Sequence, residues 1–185
     1  MSEKTYVIGI ISKDRYDGLS TLLYSLREST GFKVVIDVSD QLKSNFNNRE
    51  FVDGVFYNIP DGKTAVVYNK NFIINLFLKS TNADYLFLIE DDVKILDCDV
   101  FKEYINASEK YNIPHMNFNK LTSEENNQII ALNKQVVYDY NKDIVVTERV
   151  HGAFQFYSRE CLERVGVMNE NLCNNIRNIC CDSTW

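Results

Sequence analysis

The sequence predicts an α/β fold: a mostly parallel sheet flanked by helices, with an antiparallel addition toward the C-terminus. Three observations carry this. Short continuous apolar runs at Tyr6–Ile11, Lys33–Val38 and Tyr85–Ile89 have the character of strands buried on both faces. Between the first two, Leu19, Leu22, Leu23 and Leu26 recur at i, i+3, i+4 and i+7, one face of a helix, and short connections between strand and helix mark a parallel sheet. Farther on, Gln135–Tyr140 and Asp143–Val150 are strand-like runs around an Asn141-Lys142 turn, which predicts an antiparallel hairpin.

The remaining elements follow in order. A polar loop from Ser12 to Gly18 separates the first strand from the leucine helix, and Gly31 ends that helical unit. Asp40 to Asp53 is polar and Asn-rich and reads as an irregular or partly helical crossover, followed by a short strand at Val55–Tyr57 and a turn at Pro60–Gly62. Ala65–Ser80 reads as a second helix with Val66, Phe72, Ile73, Leu76 and Phe77 inward. Asp97 or Asp99 can cap a third helix that buries Val100, Phe101, Tyr104 and Ile105. Phe154–Tyr157 is a further strand, expected to place its aromatic rings in the core with one exposed. Ser158 can cap a short helix through Val165, stopped by Gly166.

Composition narrows the function. A chain of 185 residues and 21.5 kDa, 45% hydrophobic and 25% charged, is long enough for one domain and too apolar for disorder. Twenty basic against twenty-six acidic residues give a net charge of −6, and no Lys/Arg run interrupts it, which argues against a nucleic-acid backbone as partner. No apolar run reaches the length of a signal core or a membrane span, so the expected setting is soluble and cytoplasmic. Five Cys without a CxxC pair, two of them adjacent at Cys180 and Cys181, read as free thiols.

In open α/β sheets, ligands sit beyond the carboxyl ends of the strands. Ser12 to Arg15, then Asp37 and Asp40, then Glu90, Asp91 and Asp92 occupy three such ends. Three adjacent carboxylates beside a buried strand repel one another, and a hard divalent cation, Mg²⁺ or Mn²⁺ shared with a diphosphate, would relieve the repulsion. The bland alternative is a solvated acidic turn. Two nucleotide motifs fail. Asp61-Gly62-Lys63-Thr64 imitates the end of a P-loop, but its first glycine would fall at Tyr57, and no G-x-G-x-x-G follows the first strand. His115 and His151 are too far apart for a local metal motif and read as structural residues.

The order of these elements resembles the GT-A glycosyltransferases of the family 2 type. The resemblance spans Tyr6 to about Leu172 and rests on three segments. They are the Ser-ended first strand, the strand running through Leu86–Val93 with its acidic trio, and His151–Glu160 leading to Gly166–Glu170. It implies a GT-A three-layer sandwich, a single domain with a donor half over 1–97, an acceptor-side half over 98–172 and an atypical tail over 173–185. It implies transfer of a sugar, hexosyltransferase-like, from a nucleoside-diphosphate donor, a UDP-sugar as first choice, to an acceptor hydroxyl, with Mn²⁺ or Mg²⁺ as cofactor.

By position, the resemblance implies that Ser12 lies against base or ribose, that Asp37 contacts the base and that Asn69 lines the donor site. The position before Asn69, often basic in the family, is Tyr68. Glu90 would face the ribose and sugar, Asp92 would hold the metal, and Asp91 would stand beside it. The family's Phe-Asp-Glu appears as Met168-Asn169-Glu170, which leaves Glu170 as the catalytic base for the acceptor. The tail Cys173–Trp185 stands where similar proteins carry a Glu- or His-bearing acceptor motif; it reads as a truncated or frame-shifted end or as a natural minimal version, with Asp182 as a weak substitute for the acidic group. Two rival readings follow: a non-catalytic binding relative, favoured by Asn169, and a nucleotidyltransferase, disfavoured by the lack of glycines after the first strand.

Overall fold

The computed structural model describes residues 4–38, 46–57, 65–117 and 152–169. Six strands form one sheet among the described residues: β1 (Tyr6–Ser12), β2 (Phe32–Asp37), β3 (Gly54–Tyr57), β4 (Tyr85–Glu90), β5 (His115–Asn117) and β6 (Phe154–Ser158). Their order is β3-β2-β1-β4-β6-β5. The first four run parallel, and β6 enters antiparallel between β4 and β5. Helices α1 (Tyr16–Ser25), α2 (Ala65–Ser80), α3 (Asp99–Tyr111) and α4 (Arg159–Val165) cover the sheet. None is long and apolar enough to cross a membrane.

Alternation along the strands builds two cores. Ile8, Ile10, Phe87, Ile89, Phe154 and Phe156 face one side and meet the leucines of α1 with Phe101 and Ile105 of α3. Val7, Val34, Ile36, Leu86, Leu88 and Tyr157 face the other and meet Val67, Ile74 and Phe77 of α2 with Leu162 of α4. A parallel sheet sandwiched this way needs both faces apolar, which is why its strands appear in sequence as unbroken hydrophobic runs.

The short C-terminal helix is fastened chemically as well as by packing. Ser158 Oγ accepts from the Cys161 amide at 3.2 Å, and Gly166 stops the helix at φ 77°. Arg159 turns back onto the end of α2. Its guanidinium donates to the carbonyls of Phe77, Thr81 and Ala83 at 3.0, 2.9 and 2.7 Å and lies 4.3 Å over the Phe77 ring. A cation at carbonyls left open by a helix end is favoured by both hydrogen bonding and the helix dipole.

Several expectations change. Val66 is exposed at 42%, although it shares the azimuth of buried Ile73; it sits in the first turn of α2, where no described residue covers it. Phe154, Phe156 and Tyr157 are all buried, with no exposed ring, because β6 lies inside the sheet and is covered on both faces. Asp97 caps α3 from one position before its N-cap Cys98, accepting the Asp99 amide at 2.8 Å. The expected hairpin over 135–150 lies outside the described residues.

His115 is a packing residue, as its context suggests. Its ring stacks on Tyr157 at 4.4 Å. Nδ1 faces the Phe156 carbonyl at 2.8 Å, so Nδ1 carries the proton, and Nε2 accepts from the Asn117 side-chain Nδ2 at 3.3 Å. Burial pushes its pKa below the ordinary 6.5, against a smaller upward pull from the Phe156 carbonyl. The native ring therefore binds fewer protons than the unfolded one below that value, so stability should fall as pH drops below about 6.5. A His115→Gln chain should lose this part of the slope, as read from urea midpoints between pH 5 and pH 8.

Candidate active site

The sheet register aligns three strand ends in a row. Ser12 pairs with Asp37 across β1 and β2, and Ile11 pairs with Glu90 across β1 and β4. Tyr57, ending β3, stands opposite Asp37 and is 41% exposed. The carboxyl edge thus carries, in spatial order, an exposed phenol, a buried carboxylate, a buried hydroxyl and the acidic turn.

Asp91 is the hub of that turn, and it points inward. Its Oδ2 accepts from Ser12 Oγ at 2.8 Å and from the Lys13 amide at 3.3 Å, and its Oδ1 stands 3.5 Å from the Arg15 guanidinium. Burial raises its pKa, while the Ser12 and Lys13 hydrogen bonds and the Arg15 charge pull the other way. Arg15 also reaches Asp92 at 3.3 Å. Asp14, at φ 53°, turns the chain between β1 and α1 on the approach to Arg15.

Asp92 faces outward, with a side chain 56% exposed. Glu90 is half-buried and pairs with Lys70 at 3.4 Å. Lys70 comes from α2, is 1% exposed, and also donates to the Gly152 carbonyl at 3.3 Å. Three carboxylates therefore meet two cations, Lys70 on Glu90 and Arg15 on the two aspartates. The mutual repulsion expected of the trio is divided up rather than left standing. Asn69 is fully buried on the same turn of α2.

The structure brings Ser12, Asp37, Glu90, Asp91 and Asp92 to one edge, with Asn69 buried one residue before the Lys70 that reaches Glu90. Glu170, His151, Asp40, Asp182 and the tail lie outside the described residues. Ser12 gives its hydroxyl proton to Asp91 and keeps its oxygen lone pairs as acceptors. Sequence reasoning placed Arg15 at the end of the first strand without its partners, and missed Lys70 and Gly18. Lys70 had a signal: it falls three residues after Val67 and seven before Phe77, on the buried stripe of α2. Gly18 had none. A Cβ there would stand 2.7 Å from the Asp91 carbonyl oxygen, so only glycine lets α1 approach the acidic turn this closely. Gly18→Ala should fold, since alanine favours the helix by about 1 kcal/mol. It should displace the turn and, on the nucleotide-and-metal reading proposed below, weaken binding roughly tenfold, checked by thermal melting beside calorimetry.

Among the described residues no three His, Cys, Asp or Glu groups converge on one point. The outward Asp92 carboxylate is nevertheless a hard oxygen donor of the kind Mg²⁺ and Mn²⁺ accept, and such ions keep several positions for water and phosphate oxygen. By its chemistry that one carboxylate fits such an ion, and Arg15 at 3.3 Å is the cation that the ion would displace or share it with.

This architecture, a 3-2-1-4 parallel sheet extended by an antiparallel strand and bearing an acidic turn at its carboxyl edge, is the GT-A type of α/β fold. Two solved structures share it. The mannosyltransferase PcManGT from Pyrobaculum calidifontis, in complex with GDP-Man and Mn²⁺, superposes with a TM-score of 0.62 and 12% identity, over 91% of this chain and 48% of that one. TarS 1–349 of S. aureus gives 0.58 and 12%, over 91% and 51%. The chain spans about half the length of each. No family model matches the sequence, and a search of curated proteins finds no match.

Proposed function

We propose that the chain is a glycosyltransferase of the family 2 type, moving a sugar from a nucleoside-diphosphate donor to an acceptor hydroxyl with the help of Mn²⁺ or Mg²⁺. The observation that carries this reading is the row of Asp37, Ser12 and the acidic turn at the carboxyl edge of a GT-A sheet, with Asp92 alone of the trio turned well outward. Asp37, buried at the end of β2, is the acceptor offered to the base, with the exposed ring of Tyr57 beside it. Asp91 holds the turn rigid through Ser12, Lys13 and Arg15. Asp92 would hold the metal, which when bound neutralises charge on the departing diphosphate. Glu90, its charge balanced by Lys70, faces the sugar. Glu170 serves as the base that takes the acceptor proton. In this reading residues 1–97 bind the donor and 98–172 serve the acceptor. The free thiols Cys98 and Cys161 suit a cytoplasmic setting.

PcManGT was solved with a guanine donor, so UDP and GDP both belong in the test. Calorimetric titration of each, with and without Mn²⁺, should give binding only in the presence of metal. Failure of both nucleotides with metal present would sink the reading. Asn169, where the family carries Asp, favours a second reading: binding without transfer. Metal-dependent binding combined with no diphosphate release from UDP- or GDP-sugars would select it.

A further inference from the structure

Helix α2 buries three polar residues in succession: Asn69 at 0%, Lys70 at 1% and Asn71 at 4% exposure. Consecutive helical residues point about 100° apart, so one packed face cannot cover all three. The helix is covered on two sides, by the sheet and by the segment from Gly152 to Met168. Two of the three side chains bind that segment's backbone. Lys70 donates to the Gly152 carbonyl. Asn71 makes a two-point clamp on one residue: its Oδ1 accepts the Met168 amide at 2.8 Å, and its Nδ2 donates to the Met168 carbonyl at 2.9 Å.

Met168 belongs to the core on the α2 side, where its backbone N–H and C=O need partners, and one side chain supplies both. Met168 is already buried by its own side chain. A side-chain amide that saturates both polar groups of one distant residue fixes the position and direction of the chain there, as a neighbouring strand would. The residues that follow are Asn169 and Glu170.

We propose that Asn71 is a positioning residue for transfer: by clamping Met168 to the donor-side helix, it fixes the backbone two residues before Glu170, the base of the reading above. This rests on the transferase reading above and adds a residue that acts through the backbone rather than by touching substrate. Turnover should depend on the clamp, whereas donor affinity, set at the ends of β1, β2 and β4, should not.

The test compares wild type, Asn71→Asp and Asn71→Ala. Donor turnover is followed as nucleoside-diphosphate release from UDP-glucose and GDP-mannose with Mn²⁺, with water as acceptor. Asn71→Asp keeps the size and the acceptor for the Met168 amide but sets a carboxylate oxygen against the Met168 carbonyl. Both variants should lose roughly ten- to a hundredfold in kcat with donor KM within about twofold. Amide hydrogen exchange should quicken in the peptide spanning Met168 and stay unchanged in β1 and β4. Variants that turn over like wild type overturn the proposal alone. So does a parallel loss in kcat and donor KM, or loss of cooperative unfolding in both variants, since each marks a purely structural clamp. A wild type that binds nucleotide with metal yet releases no diphosphate from either donor overturns it as well. A wild type that binds neither nucleotide removes the transferase reading first, a result the calorimetry identifies on its own.

Discussion

Asp92→Asn should weaken metal-dependent nucleotide binding by roughly a hundredfold or more, about 2.8 kcal/mol at tenfold per 1.4 kcal/mol. An amide oxygen carries no charge to offer a divalent ion, and this side chain is the outward one of the turn. The neighbouring substitution makes the contrast. Asp91→Asn keeps an oxygen to accept from Ser12 and Lys13, and it removes a charge that burial already disfavours. It should leave stability near wild type and affect binding far less. Asp91→Ala is harsher, because the Ser12 hydroxyl loses its acceptor in a buried place, at a cost of about 1–3 kcal/mol. Calorimetry with Mn²⁺ and nucleotide, paired with urea unfolding, separates the three. If Asp91→Asn abolishes binding and Asp92→Asn spares it, the two roles must be exchanged.

The largest loss of stability is expected from Phe87→Ala. Phe87 is fully buried at the middle of β4, with ring centroids of Phe101, Phe156, Tyr6 and Phe154 at 4.8, 5.1, 5.6 and 5.7 Å. The cluster joins β1, β4, β6 and α3, so the gap left by truncation has walls on several elements and cannot easily collapse. Truncation of this kind costs about 3–5 kcal/mol, a large share of the roughly 5–15 kcal/mol that holds a domain folded. The urea midpoint should drop accordingly. Phe87→Leu, which refills most of the space, should lose much less. Equal losses for the two would mean that ring-edge contacts, rather than volume, set the stability here.

The parallel half of the fold was legible because burial on both faces leaves contiguous apolar runs, and Tyr6–Ile11, Lys33–Val38 and Tyr85–Ile89 fall on β1, β2 and β4 almost to the residue. Ser158 and Gly166 announced α4 because a cap and a left-handed stop are local chemistry. What depends on distant chain was not legible. β5 is three residues, His115–Asn117, too short for any period, and its only sheet neighbour among the described residues comes about forty positions later. Asn69-Lys70-Asn71 resembles a solvated helix turn until the 152–168 segment is laid over it. In the site, the acidic trio was visible as a group, but its division was not. Which carboxylate turns inward is decided by Ser12, Lys13 and Gly18, contributed by the end of β1 and the start of α1, far earlier in the chain.

The placement of β6 has a consequence for how the chain is made. β4 emerges with its apolar edge open, because the strand that covers it, Phe154–Ser158, is synthesised much later. At about 5–20 residues per second, that gap lasts roughly 3–13 s on the ribosome. β5 must also wait, although it precedes its partner. For that interval β1, β2, β3 and β4 can assemble from local β-α-β units while one flank remains an unpaired hydrophobic ladder, the kind of edge that recruits other chains. The nascent protein is thus most vulnerable to aggregation after β1 to β4 exist and before β6 does, a window set by the order of the strands rather than by their stability.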